Sequence, residues 1–286
     1  MLALQLLLNG IVTGCALGVV AVSFALVYAT TKIFHVAHAG VYTLGGYVAW
    51  SLAVRGVPDP LALVLAMAVC TALGALIQHQ LYGRLERRGA THLGILIASL
   101  GALAVIQNLI AAVYSANILQ FPSAWASRTF GFGGLRLSAA QIATLVISLI
   151  AVAAVLWFAR ATILGKRIRA VASNPFLAEI TRLEPRTVHV YVVAIASAVV
   201  CLPGVLVPFD LGLQPYGGIT PLLTATIAMI AGGIGSLGGA FVLSVVIVVL
   251  QNLSLLVMPG EWSIGVTFFI FVIFMLFRPR GLFANA

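Results

Sequence analysis

Charge is what this sequence has least of. Only 7 % of its 286 residues are charged, against 62 % apolar, and the mean hydropathy is +1.17. A water-soluble domain carries about 25 % charged residues, because its surface must face water. The shortage excludes a soluble enzyme and demands a lipid-facing surface, so the chain reads as an integral membrane protein. Carboxylates are scarcer still, 6 Asp and Glu against 15 Lys and Arg. No pair of them falls within an apolar run, which removes the usual candidates for acid–base catalysis. Cysteine is limited to Cys15, Cys70 and Cys201, all inside apolar runs. They read as small buried hydrophobes, with neither a disulfide framework nor metal-ligand spacing. Missing too are the phosphate loop G-x-x-x-x-G-K-[ST] and the nucleophile turn G-x-S-x-G, so this chain alone is not expected to bind ATP.

What is present is a series of long apolar runs. The length allows roughly eight to ten spans of about 20 residues with short connections. No room is left for a separate soluble domain, so a single transmembrane domain over 1–286 is expected. The start, MLALQLLLNG, lacks a basic n-region and a cleavage site and reads as a retained span. The net charge of +9 gathers in three places: Arg84, Arg87 and Arg88; Arg160 through Arg186; Arg278 with Arg280. Clusters at span ends are the positive-inside signal rather than a nucleic-acid face, and they place those loops in the cytoplasm.

The predicted spans are Leu4–Ala29, Ile33–Val54, Leu61–Tyr82, Leu93–Tyr114, Gln141–Phe158, Val190–Pro208, Ile219–Ala231, Ala240–Val257 and Ile264–Phe277. The second and seventh are short. Ser115–Ser138 is an outer connection, and Asp210 and Glu261 fall in outer turns. The N-terminus is then outside and the C-terminus inside. If Ile33–Gly46 only dips into the membrane, the count falls to eight and the N-terminus moves inside.

The stretch AGGIGSLGGA, Ala231 to Ala240, has the G-x-G-x-x-G spacing of a dinucleotide-binding turn at Gly233, Gly235 and Gly238. Such a turn needs a strand before it and an amphipathic helix after it. Here AFVLSVVIVVL follows, apolar on every side, as in a membrane span. The glycines read instead as a tight cytoplasmic turn with close helix approach.

Two segments carry candidate function. In the cytoplasmic loop at about 161–187, Lys166, Arg167 and Arg169 alternate with Ile168 and Val171, as on an anionic membrane surface. Asn174 then caps a short helix with Pro175 at its first position. Phe176, Leu177 and Ile180 give it an apolar face, and Pro185 marks its end. Such a helix wants a cytoplasmic partner; a solvated loop packing on its own spans is the other reading. In FHVAHAGVYTLGGY, the residues His35, His38, Tyr42 and Gly45 lie at membrane depth, where polar groups mark a pathway by default. They read as a polar translocation wall or as satisfied structural histidines. A metal site lacks further ligands. Asn9, Gln78, His79, Gln107, Asn108, Gln141, Gln251 and Asn252 are each expected to make interhelical hydrogen bonds.

At this point four motifs in order, HVAHAGVYTLGGY, LGKRIRAVASNPFLAEI, AGGIGSLGGA and FRPRGLF, resemble the inner-membrane permease subunits of bacterial branched-chain amino-acid ABC importers. The likeness runs along nearly the whole length. It implies an all-α polytopic permease of about eight or nine helices, the one near the N-terminal third short or broken. It also implies a second permease subunit (homologous, or another copy), two cytoplasmic ATPase subunits holding ATP and Mg, and a periplasmic binding protein. No cofactor is expected on this chain. Arg169, Asn174, Pro175, Phe176, Ala178 and Glu179 match the coupling helix that meets the ATPase. The family has Gly and an acidic residue where this chain has Ala39 and Gly40, which suggests a substrate lacking an ammonium group, such as an amide, a urea or an organic acid. After the coupling helix, Leu183 and Glu184 replace the family's Gly-Ile. The rival classes are a stand-alone channel for a small neutral solute and an intramembrane enzyme using His35 and His38.

Overall fold

The computed structural model describes residues 1–278 and 281–283. Pro279 and Arg280, within the ending motif and the third basic cluster, lie outside the described residues. In chain order the helices are α1 (Leu2–Thr31), α2 (His38–Val54), α3 (Asp59–Arg87), α4 (His92–Tyr114), α5 (Ala139–Ala161), α6 (Ile163–Ser173), α7 (Pro175–Ile180), α8 (Pro185–Leu206), α9 (Ile219–Gly232), α10 (Leu237–Ser254) and α11 (Ser263–Phe277). Among the described residues, 7 helices are long and apolar enough to cross a membrane. Helices α2, with 17 residues, and α9, with 14, fall outside that set, and they are the second and seventh runs predicted to be short. The protein is an all-α, multi-pass membrane protein.

Contacts between loops settle which ends lie together. Near the N-terminus, Gln5 accepts from Arg136 N–H at 2.9 Å and donates to its carbonyl at 2.8 Å. Arg136 sits in a small antiparallel hairpin, β1 (Thr129–Phe132) with β2 (Leu135–Ser138), built into the outer connection. The far end of α2 reaches the same connection, where Trp50 donates to the Gln120 carbonyl at 2.8 Å. Helix α2 therefore starts inside the bundle, where His38 meets Ser23 of α1, and ends beside the outer connection. At the opposite end Arg87 and Arg186 line one small pocket, and the C-terminal tail closes over the glycine turn through Leu282 N–H to Ala231 O, 2.9 Å. The N-terminus lies at the end of the bundle opposite the basic residues.

Helix starts follow local chemistry. Ser138 and Gln141 form a reciprocal capping box, each bond 3.0 Å, and Gln141 also makes the interhelical bond expected of it, donating through Nε2 to Asp210 at 3.0 Å. Pro185 corrects the sequence reading. It does not end the short helix, which stops at Ile180, but occupies the first turn of α8. Proline's fixed φ and missing N–H suit a helix start as well as a stop.

Helix α1 is the axis of the bundle, with 89 % of its apolar window buried, whereas α11 is peripheral at 6 %. Small residues explain how α1 is surrounded. Gly10, Gly14 and Gly18 lie four apart on one face against α10, where a methyl group at Gly14 would come 2.9 Å from Val245 Cα. Glycine at this spacing lets helix backbones approach closely, the main source of packing energy where lipid is as apolar as the side chains. Gly232 and Gly239 do the same where α9 turns into α10, and Gly233 (φ 105°) and Gly235 (φ 98°) make the turn itself. The dinucleotide-like spacing thus belongs to a helix–helix turn.

Replacing Gly14 with valine should force α1 and α10 apart and cost about 1–3 kcal/mol as overpacking. The expected result is a lowered midpoint of thermal unfolding in detergent. Gly101→Ala on α4, where nothing lies within 4 Å, should leave that midpoint unchanged.

Candidate functional site

Three features could serve transport: a cavity in the outer half of the bundle, a buried polar chain at the inner half, and the loop helix beyond it.

The cavity holds about 460 Å³ and is bounded by α1, α2, α9, α10 and α11 together with residues 207–217. Its polar lining includes Thr13, Tyr42, Thr224 and Gln251, and its apolar lining includes Leu17, Leu213 and Ile264. Among the described residues, none with a formal charge lines it. Gln251 makes the interhelical bonds expected of it, to Thr267 and to the Ser263 carbonyl at 3.2 Å.

Of the candidate pathway residues, only Tyr42 lines this cavity. His35 and His38 are both fully buried between helices. His38 Nε2 lies 2.9 Å from Ser23 Oγ, and His35 Nδ1 lies 2.7 Å from the Tyr82 hydroxyl. Tyr82 donates to Ser99 Oγ at 2.7 Å, and Ser99 accepts the Ala37 N–H at 3.0 Å. The chain therefore fastens the non-helical segment 33–37 to α3 and α4. Tyr82 closes a π-helical turn, Ile77–Tyr82, within α3. One nitrogen on each ring, His35 Nε2 and His38 Nδ1, has no hydrogen-bond partner among the described residues. Gly45 lies against Cys201 of α8, where a side chain would not fit. The pathway reading for His35, His38 and Gly45 thus meets a structure that sets them in helix packing, away from the cavity. Gly40, at the family's acidic position, faces Ile106 of α4, with a methyl group there 3.1 Å from its Cδ1. A carboxylate at that point would meet α4 and not the cavity.

The loop helix forms as the residues dictate. Asn174 Oδ1 accepts the Leu177 N–H at 3.1 Å, and Pro175 takes the first turn. Phe176, Leu177 and Ile180 are 71 %, 57 % and 64 % exposed, and Asn174, Glu179 and Arg169 are exposed as well. Arg169 also donates to the Arg160 carbonyl at 3.4 Å. Ala178 differs: it is buried in one apolar cluster with Val171 of α6, Leu26 and Val27 of α1, and Val188 and Val192 of α8. It anchors the helix while its neighbours face outward.

The family profile described as "Branched-chain amino acid transport system / permease component" matches residues 6–275. The chain belongs to this permease family. The match covers nearly the whole bundle, and it sets aside the stand-alone channel reading. Relatives include the high-affinity branched-chain amino acid permease protein LivH of Salmonella typhimurium, 26 % identical over 98 % of this chain and 94 % of that one. BraD of Pseudomonas aeruginosa is 26 % identical over 98 % and 95 %. Among solved structures, PsaBC from Streptococcus pneumoniae in complex with Fab aligns over 95 % of this chain and 91 % of that one, with a TM-score of 0.54 and 16 % identity. That likeness shows a shared fold.

Sequence reasoning missed Thr13, Thr220 and Thr224 of the cavity, as well as Tyr82 and Ser99. The signal for the threonines was available: Thr220 and Thr224 stand four apart in an otherwise apolar run, on one helix face.

Tyr82→Phe should leave His35 Nδ1 and Ser99 without their shared hydroxyl. The cost is about 1–3 kcal/mol for stranded buried polar groups, read as a lowered unfolding midpoint. Ser51→Ala, whose hydroxyl meets Tyr114 in a part-buried setting, should cost less.

Proposed function

We propose that this permease is the membrane-spanning half of an ATP-driven importer in a bacterial inner membrane. A second permease subunit, homologous or identical, completes the pathway, and two cytoplasmic ATPase subunits hold ATP and Mg. A periplasmic binding protein delivers a branched-chain amino acid or a related small amphipathic solute, such as an amide, a urea or an organic acid. Family membership supports this reading, and one observation carries it to a mechanism. Helix α7 is capped and anchored, yet presents Phe176, Leu177 and Ile180 to the cytoplasm. Fully burying such a side chain contributes about 1.5–3 kcal/mol, so a partner groove over this face gains a firm hold.

The same helix has a rigid connection to the bundle. Ala178 and Val171 pack on the inner ends of α1 and α8. Farther out, α1 carries Thr13 and Leu17 into the cavity, and the chain leaves α8 through Val207 and Pro208 in its wall. ATP-driven closure of the ATPase pair would displace α7, and α1 and α8 would carry that displacement outward. The bundle would rock between an outward-open and an inward-open state around a site within it. Arg169, Asn174, Pro175, Phe176 and Glu179 are the docking residues, with Ala178 as the anchor.

Phe176→Asp and Leu177→Asp alter exposed positions, so the subunit should insert and unfold as before. Uptake should fall by at least about tenfold, the equivalent of about 1.4 kcal/mol of lost coupling, and ATPase subunits should no longer co-purify. Asn174→Ala removes a cap worth about 0.5–2 kcal/mol and should uncouple ATP hydrolysis from uptake. Normal uptake and normal transport-stimulated ATPase activity in all three variants would overturn the assignment.

A further inference from the structure

The cavity's floor is the start of a helix, and that start lies inside the membrane. Helix α9 spans 14 residues, about 21 Å at about 1.5 Å each, while the hydrocarbon core is about 30 Å thick. Its inner end is fixed by the cytoplasmic glycine turn, so its outer end stops short. The packing agrees. Gly218, just before the helix, sits against Ala39 and Thr43, in the inner part of α2, so closely that no side chain would fit.

This helix end is left open toward the cavity. No side chain caps it. The Ile219 N–H reaches only the Tyr216 carbonyl, at 3.4 Å, and Pro221 in the first turn has no N–H to give. Gly217, Thr220, Pro221 and Thr224 recur at helical spacing and all line the cavity. Across from them lies Tyr42. Thr224 is 3 % and Tyr42 5 % exposed. Among the described residues neither hydroxyl has a protein hydrogen-bond partner, so two largely buried residues bring unpaired hydroxyls to the wall of a cavity.

We infer that this cavity is a solute site whose polar end reads an acyl oxygen, that of a carboxylate or a carboxamide. The start of α9 and the hydroxyls of Tyr42 and Thr224 face that oxygen, and Leu17, Leu213 and Ile264 hold an apolar tail. The inference rests on the chain being a solute permease and adds the chemical class it accepts. The physical argument is one of sign. A helix N-terminus carries the equivalent of roughly half a positive charge, and it acts strongly where water is scarce. It attracts an electron-rich oxygen and repels an ammonium. Among the described residues no carboxylate in the lining offsets that preference. Asp210 lies outside it, accepting from Ser138 Oγ at 3.1 Å and Gln141 Nε2 at 3.0 Å.

The test is cysteine labelling in right-side-out membrane vesicles that carry the full chain with its cognate subunits. Thr224→Cys and Thr220→Cys are each exposed to a membrane-impermeant methanethiosulfonate reagent. Both should be modified from outside. Isocaproate and isocaproamide should slow the reaction at least about two-fold by occupying the site, and isoamylamine, with the same tail and no acyl oxygen, should not. Ser115→Cys in the outer connection should react at one rate throughout. The proposal is overturned by equal slowing with isoamylamine, by no slowing with either acyl solute, or by no modification at both cavity positions. Labelling needs no ATP turnover and leaves α7 intact. Lost protection alongside a normal response to the α7 variants would overturn this inference alone, whereas protection alongside ATP-independent uptake would overturn the importer reading alone.

Discussion

The outer half of this structure depends on one reciprocal pair of backbone hydrogen bonds. Leu119 donates to the Leu213 carbonyl at 3.1 Å, and Leu213 donates to the Leu119 carbonyl at 2.8 Å. Between α8 and α9 the chain leaves helical geometry and descends toward Gly218. Irregular backbone at that depth is tolerable only where protein satisfies its polar groups, since lipid cannot. The outer connection supplies a short strand-like partner, and Gly212 at φ 80° makes the bend that brings Leu213 into register. Leu213 is then buried with Tyr47 and Ile110. Without that anchorage neither the cavity wall nor the internal start of α9 would hold its place.

The inner half solves the same problem with side chains. Residues 33–37 are not helical, and the Ala37 N–H would be stranded in an apolar interior. Ser99 accepts it, Tyr82 bonds Ser99, and His35 bonds Tyr82. Tyr82 belongs to α3 and Ser99 to α4, so the polar groups fasten segment 33–37 to those two helices. The π-helical turn in α3 fits this role, since one extra residue in a turn shifts which side chain points inward. It ends on Tyr82, the residue that completes the chain.

Much of this was legible in the residues. Basic clusters at run ends marked the ends of the helices that gather at one end of the bundle, because moving charge across lipid is costly wherever it occurs. Asn174-Pro175 announced a helix start, because capping is local chemistry between residues three apart. The glycine turn was legible for a similar reason: the runs flanking it were too apolar to be anything but spans. What escaped notice was non-local. Tyr82 and Ser99 find His35 across 47 and 62 residues of chain, counted from His35 and Ala37, and nothing in the histidine motif names them. Pro185 was ambiguous in itself, since proline suits both a stop and a start, and only the following helix decides. Thr220 and Thr224 acquire a role only through the neighbouring loop, which leaves a space beside them.

An uncharged cavity also suits a site that must empty on every cycle. A lysine or arginine in the lining would stand unpaired after each release, and a buried unpaired ion costs several kcal/mol. That cost would either hold the solute in place or pull in a replacement ion. The peptide dipoles at the start of α9 are fixed in the backbone and stay in place whether the site is full or not. Hydroxyls such as those of Tyr42 and Thr224 can turn toward water when the solute leaves, at far smaller cost than a bare charge. Scarcity of charge, which first marked the chain as a membrane protein, is therefore consistent at the site as well: attraction weak enough to reverse is what alternating access requires.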